Sequence, residues 1–202
     1  MSLLRRTVWV VLALIVLLAL VSGVLVAMNL RGEDALPAQS ESFNATPQLV
    51  ERGRYLALAG NCAGCHTTRG GRPYAGGLPI ETPFGTIYSS NLTPDAQTGI
   101  GSWSSAHFWR AMHNGRSKDG RLLYPAFPYP NFTKVTREDS DAIYAYLRSL
   151  APASEQNREH RLRFPYDTQA ALAVWRALSF KPEPFVANAG KPAEWNRGAY
   201  LV

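Results

Sequence analysis

Residues 60–68 read GNCAGCHTT. Cys62 and Cys65 are the only two cysteines in 202 residues, and His66 follows the second directly. Three chemistries use thiols at this spacing. A redox dithiol exposes a thiolate that attacks disulfides. A zinc site needs four ligands, typically with a second pair at similar spacing, and His107, His113 and His160 offer no such pair. Covalent haem attachment uses both thiols, which add to the two vinyl groups, and places the adjacent histidine under the ring as an iron ligand. Two buried structural cysteines would leave His66 without a task. The motif therefore favours one haem c, with Cys62 and Cys65 as covalent attachments and His66 as proximal iron ligand. The dithiol and zinc readings stand beside it.

The residues around the motif read as helices joined by loops. TPQLVERGRYLALAG (46–60) has Thr46 as N-cap, Pro47 in the first turn and Gly60 at the end. It delivers the chain directly into Cys62. GIGSWSSAHFWRAMHNG (99–115) predicts a second helix, capped by Ser104 and stopped by Gly115, with Phe108, Ala111 and Met112 on one face. TREDSDAIYAYLRSL (136–150) opens with a Thr136-x-x-Asp139 capping box and aligns Ile143, Leu147 and Leu150. Between these helices lie Gly-, Pro- and Thr-rich loops with no sustained strand pattern. The fold class is all-α, with loops long enough to wrap a flat ligand.

Residues 7–30 carry no charge, which is enough chain to cross a bilayer as a helix. The run is longer than the apolar centre of a cleaved signal peptide and ends without a clean small-residue site. It predicts an uncleaved signal anchor over 1–32. Arg5 and Arg6 hold the short N-terminus in the cytoplasm and place the rest across the membrane. Arg5, Arg6 and Arg31 also carry much of the +6 charge: without them 18 basic side chains face 15 acidic ones. That mild balance, with no basic and aromatic stripe, argues against nucleic acid as a partner.

After a linker at 33–45 the helical pieces make a domain over 46–152. A polar stretch then reads as a linker within 153–190. It includes a short helix, DTQAALAVWRALSF (167–180), with Leu172, Trp175 and Leu178 on one side. Near the end, Arg52-Gly53-x-Tyr55-Leu56 recurs as Arg197-Gly198-x-Tyr200-Leu201. The spacing that separates Leu56 from Cys62 would put a second CxxCH beyond residue 202.

CAGCHTTRGG (62–71), TPFGTIYSSNLTPDAQTGIGSW (82–103), DGRLLYPAFPYPNFTKVT (119–136) and YAYLRSL (144–150) together resemble a known family. They are similar to the first haem domain of multi-haem cytochrome c subunits of membrane-bound bacterial alcohol, gluconate and aldehyde dehydrogenases. The likeness covers most of residues 48–202. It implies a class I cytochrome c fold, in which Gly53 and Tyr55 of the first helix meet Tyr144 and Leu147 of the last. It implies a C-terminal helical linker and reads 191–202 as the start of a truncated second cytochrome c domain. It also implies a role. The chain would carry single electrons from a periplasmic dehydrogenase catalytic subunit toward quinone, other cytochromes or a terminal oxidase. It would sit in the inner membrane with its haem domain in the periplasm, and it would be no enzyme itself.

One position departs from the family. Many members read YPAMPY, where the methionine is the sixth iron ligand; this chain reads YPAFPY, with Phe127 there. Met112 and His113 are the distal candidates. They fall about 100° apart on a helix, so at most one faces the iron. The reading leans to His113. An open sixth site is the alternative, and it would allow binding of peroxide or small gases. A membrane-tethered thiol oxidoreductase is the other rival. Arg69, Arg72, Tyr88 and Asn91 are candidates to meet haem propionates. Trp103 is expected in the core, and His107 and His160 on the surface.

Overall fold

A computed structural model describes residues 3–33, 35–36 and 43–201. Part of the expected 33–45 linker, residues 34 and 37–42, lies outside the described residues. In chain order the elements are α1 (Leu3–Asn29), α2 (Pro47–Ala59), α3 (Cys62–His66), β1 (Pro79–Thr82), β2 (Gly85–Tyr88) and α4 (Ser105–Asn114). Then come α5 (Tyr129–Phe132), α6 (Arg137–Ser149), β3 (Arg161–Leu162), α7 (Gln169–Ser179) and α8 (Ala193–Leu201). The architecture is helical, as expected, with α1 exposed along its length and long and apolar enough to span a membrane.

The core sits where α2 crosses α6 and α4 packs on α6. Thr46 caps α2 by accepting from the Leu49 N–H, and Gly60 closes it. The crossing needs a glycine. A Cβ on Gly53 would collide with the Ala142 carbonyl oxygen of α6 and lie 2.9 Å from Tyr146 Cβ. Leu56 and Ala57 complete the buried face with Ala142, Ile143 and Leu147. Tyr55, expected at this crossing, instead faces outward. It stands two residues from Gly53, about 200° round the helix.

The caps of α4 and α6 divide differently from expectation. Thr136 caps α6 by accepting from the Asp139 N–H. The Asp139 carboxylate does not return to complete the box. It is 2% exposed, accepts from Arg52 of α2 (2.7 Å) and from the Tyr200 hydroxyl of α8 (2.7 Å), and Arg197 lies 3.8 Å away. The reciprocal box forms at α4 instead, where Ser104 accepts from the His107 N–H and His107 Nδ1 accepts from the Ser104 N–H. His107 is thus half-buried, not a free surface residue.

A small antiparallel sheet, ordered β1-β2-β3, was not anticipated. Its strands have four, four and two residues, too short for alternation to register. The β2–β3 pairing also joins segments far apart in sequence. Residues 153–162, expected as linker, are stitched to the loop at 91–98. The Asn91 amide donates to the Ala153 carbonyl and Thr98 Oγ1, and the Asn157 amide donates to the Thr98 carbonyl.

Helix α7 forms where expected, with Thr168 as N-cap, but its buried side is rotated. Leu172 is buried, whereas Leu178 is 76% exposed. The buried face is centred on Arg176, Ala177 and Phe180. Arg176, 2% exposed, donates to the carbonyls of Asn114 and Asn29 and lies 3.4 Å from Glu33. Glu33 in turn accepts from Arg116 at 2.6 Å. The demand of these acceptors outweighs one exposed leucine. The result is a polar clamp joining the end of α1 to α4 and α7.

Candidate functional site

Asn61 turns the chain between α2 and α3 with a left-handed φ of 50°, a conformation asparagine tolerates better than most residues. One short helical turn then carries Cys62, Cys65 and His66. The two thiols are not joined to each other. Burial pushes the Cys62 thiol up to about 11, the opposite of the lowered pKa that a nucleophilic dithiol needs. Among the described residues, no group of three His, Cys, Asp or Glu side chains is placed to hold a metal ion. The zinc reading therefore lacks ligands there.

His66 is oriented from behind. Its Nδ1 lies 2.7 Å from the Ser90 carbonyl oxygen. A carbonyl only accepts, so Nδ1 carries the proton and the lone pair is on Nε2, as a metal-binding imidazole requires. Burial lowers the pKa of the ring, which keeps it neutral. The Gly76 turn packs closely against the Ser90 carbonyl. Gly76, at φ 75°, donates its N–H to the His66 carbonyl, and a Cβ there would lie 2.6 Å from the Ser90 oxygen. Gly76, only part of a loop in the sequence, thus lies against the carbonyl that orients His66.

All three motif side chains line a cavity of about 910 Å³, at the upper end of the ~300–1,000 Å³ range of ligand pockets. Its walls include Ile87, Leu92 and Ile100 from the loops, Phe108 and Met112 from α4, and Ile143 and Leu147 from α6. Phe127 lines it too, stacked on Phe132 with ring centroids 5.4 Å apart. The donor set of two unbridged thiols and one neutral imidazole, beside apolar walls of this size, fits a covalently held flat macrocycle.

The two distal candidates part here. Met112, 5% exposed, is on the cavity wall. His113 stacks on Trp109 (4.4 Å between centroids, 13° between planes), with its Nδ1 3.4 Å from Thr133 Oγ1. Tyr88 and Asn91 line the cavity, but the Asn91 amide is engaged with Thr98 and Ala153. Arg69 and Arg72 are exposed and outside the lining. The cavity's cations are instead Lys118, Arg121 and Arg158, the last over the Tyr88 ring at 5.5 Å. Trp103 packs against the core as expected, its carbonyl accepting from the Tyr144 hydroxyl (2.6 Å).

His160, expected on the surface, is also a wall residue. Its Nδ1 accepts from the Tyr88 N–H at 3.2 Å, and its ring meets Tyr124 edge-on. Only the long-range β2–β3 pairing brings it there, so no local sequence signal marks it. Burial, aided by nearby Arg121, holds its pKa below the ordinary value. A depressed histidine pKa stabilises the fold above the unfolded value and loses that contribution as pH falls. Acidification from about pH 7.5 to about pH 5.5, through the ordinary histidine range, should loosen the β2–β3 edge. The readout is faster amide exchange at Tyr88, and His160→Asn should flatten the response.

Comparison with known proteins places these features. Residues 50–151 match the model of the cytochrome c family. The chain is 47% identical over 176 residues to a nicotinate dehydrogenase subunit of Pseudomonas putida, covering 83% of this chain and 15% of that protein. It is 45% identical over 161 residues to the gluconate 2-dehydrogenase cytochrome c subunit of Pantoea cypripedii, covering 78% and 36%. It is 42% identical over 168 residues to the cytochrome c subunit of alcohol dehydrogenase (quinone) of Gluconacetobacter polyoxogenes, covering 82% and 36%. The chain therefore spans little more than a third, or less, of each of these relatives.

Proposed function

The chain belongs to the cytochrome c family, and on that premise we propose that it carries single electrons from the catalytic subunit of a dehydrogenase toward quinone or a terminal oxidase. The observation that carries this reading is the CAGCH turn on the cavity wall, with both thiols unbridged and the His66 lone pair fixed on Nε2. The partner class follows the printed roles of the relatives, two of which are cytochrome c subunits of dehydrogenases. Haem c, when bound, supplies the one-electron couple. The residues hold and tune it.

In this reading Cys62 and Cys65 make the covalent attachments and His66 is the proximal ligand. Met112 is the distal ligand in preference to His113, because it is the one on the cavity wall. Arg158, over the Tyr88 ring on the cavity wall, is the candidate to meet the haem carboxylates. A thioether ligand raises the potential relative to a second imidazole, so the higher potential is expected here. α1 spans the inner membrane, with residues beyond it in the periplasm; its uniform apolarity and exposure support this. Residues 46–152 form the haem domain. α8 is read as the opening helix of a second such unit, since it repeats Arg-Gly-x-Tyr-Leu and a Cβ at Gly198 meets nothing within 4 Å.

The test is the visible spectrum of protein matured with haem, reduced and oxidised, with and without carbon monoxide. A c-type spectrum unmoved by the gas is expected. Met112→Ala should then bind carbon monoxide and lower the potential, while His113→Ala should do neither. The reverse pattern would make His113 the ligand. Carbon monoxide binding by the unaltered protein would favour small-molecule chemistry at an open site. Absence of a haem spectrum would sink the electron-carrier reading.

A further inference from the structure

Helix α7 is built the wrong way round for a surface helix. Its sequence, QAALAVWRALS, contains one charged residue, Arg176, and that residue is turned inward at 2% exposure. The side facing away from the body carries Ala170, Val174 and Leu178, with Val174 42% and Leu178 76% exposed. A helix that buries its one charge and turns an apolar stripe outward places that stripe against protein or lipid.

Its neighbour decides between these. α7 touches α1, and the contact is confined to the end of α1. Asn29 Nδ2 donates to the Ala173 carbonyl, Arg31 donates to the Ala177 carbonyl, and Arg176 donates to the Asn29 carbonyl. Among the described residues of α1, Asn29 alone is buried, so α7 does not run down the anchor. At 1.5 Å per residue, the 27 residues of α1 span about 40 Å, against a hydrocarbon core of about 30 Å. The last turn of α1 therefore emerges into the headgroup layer, and α7 is pinned to that turn. Exposed Arg31 and Lys181 flank the contact and suit an anionic surface.

We propose that α7 lies in the interfacial layer of the bilayer, its Ala170, Val174 and Leu178 face against lipid. The proposal rests on the reading that α1 spans the membrane. The occupant of the face is lipid because α7 is fastened to the end of α1, where that span leaves the hydrocarbon. Interfacial helices bury an apolar face about 5–10 Å into the headgroup and acyl boundary.

The test uses the full holo chain in vesicles of phosphatidylethanolamine and phosphatidylglycerol. With both native thiols bound to haem, Leu178→Cys, Leu17→Cys and Ala96→Cys each offer one site for a nitroxide. Collisions with oxygen, which concentrates in lipid, and with a nickel chelate, which stays in water, are then measured. Labels at 178 and 17 should both favour oxygen, with chelate accessibility several-fold below that at exposed position 96. A label at 178 as open to the chelate as that at 96, while 17 stays excluded, would overturn the α7 proposal and leave the spanning reading standing. A label at 178 shielded from both reagents would also overturn it, in favour of a second copy or a protein partner. A label at 17 open to the chelate would overturn the spanning reading itself, and the α7 proposal with it.

Discussion

Gly53→Ala is expected to destabilise the folded domain by at least about 3 kcal/mol, the upper end of overpacking costs. The new methyl group meets the Ala142 carbonyl, which is backbone inside a helix and cannot rotate away, and behind it Tyr146 Cβ. α2 and α6 must separate to admit it. The gain in helix propensity from glycine to alanine, roughly 0.5–1 kcal/mol, is too small to compensate. Because α2 runs directly into Cys62, the displacement also reaches the proposed haem attachment site, and the yield of haem-bearing protein should fall. Gly198→Ala is the internal control. It occupies the corresponding place in the repeated motif, but a Cβ there meets nothing, so the propensity gain should appear alone and stability should rise slightly. Denaturant titration followed by helical signal measures both. Equal and small effects at the two positions would refute the crossing described here.

Arg176→Met should also be costly, about 1–3 kcal/mol, the cost of leaving a buried acceptor unpaired. The substitution removes the donor to the Asn114 carbonyl and one donor to Asn29, and it leaves Glu33 with Arg116. Arg176→Lys should recover only part of the loss, since an ammonium cannot reproduce the planar fork of donors. The measurement is amide exchange across α7 and the end of α1 in detergent micelles, where protection should collapse with methionine. Wild-type protection in Arg176→Met would mean that apolar packing alone holds α7 in place.

The candidate haem site was legible in the sequence to the extent that its chemistry is local. CAGCH is contiguous, so its proposed role could be read directly, and capping at Thr46, Ser104 and Thr136 follows from neighbouring residues and carried into the structure. What escaped was set by distance along the chain. His160 reaches the cavity through β3, whose pairing with β2 closes a long loop. Asp139 looked like half of a capping box, but Arg52 and Tyr200 claim its carboxylate. Local pattern supplied a plausible partner, and tertiary contacts supplied stronger ones. The buried side of α7 shows the same lesson. Hydrophobicity alone selected Leu172, Trp175 and Leu178, whereas a single arginine with three acceptors rotated the helix. The distal position is an intermediate case. Helical geometry separated Met112 from His113, but only the packing of α4 on α6 decided which faced inward.

The polar clamp at the end of α1 also changes how this chain would meet a partner. A domain on a slack tether explores a hemisphere of positions and every tilt. With α1 spanning as proposed, a domain bolted to it through Arg176, Glu33 and Arg116 keeps lateral drift and spin about the membrane normal, and little else. Encounter becomes a search in a plane, with height and tilt settled in advance. Much of the rotational freedom that association must otherwise surrender is already gone before contact. Two proteins confined in this way need few contacts to find a productive pose, and they can part as readily. Brief, repeatable meetings of that kind are what a carrier of one electron at a time requires.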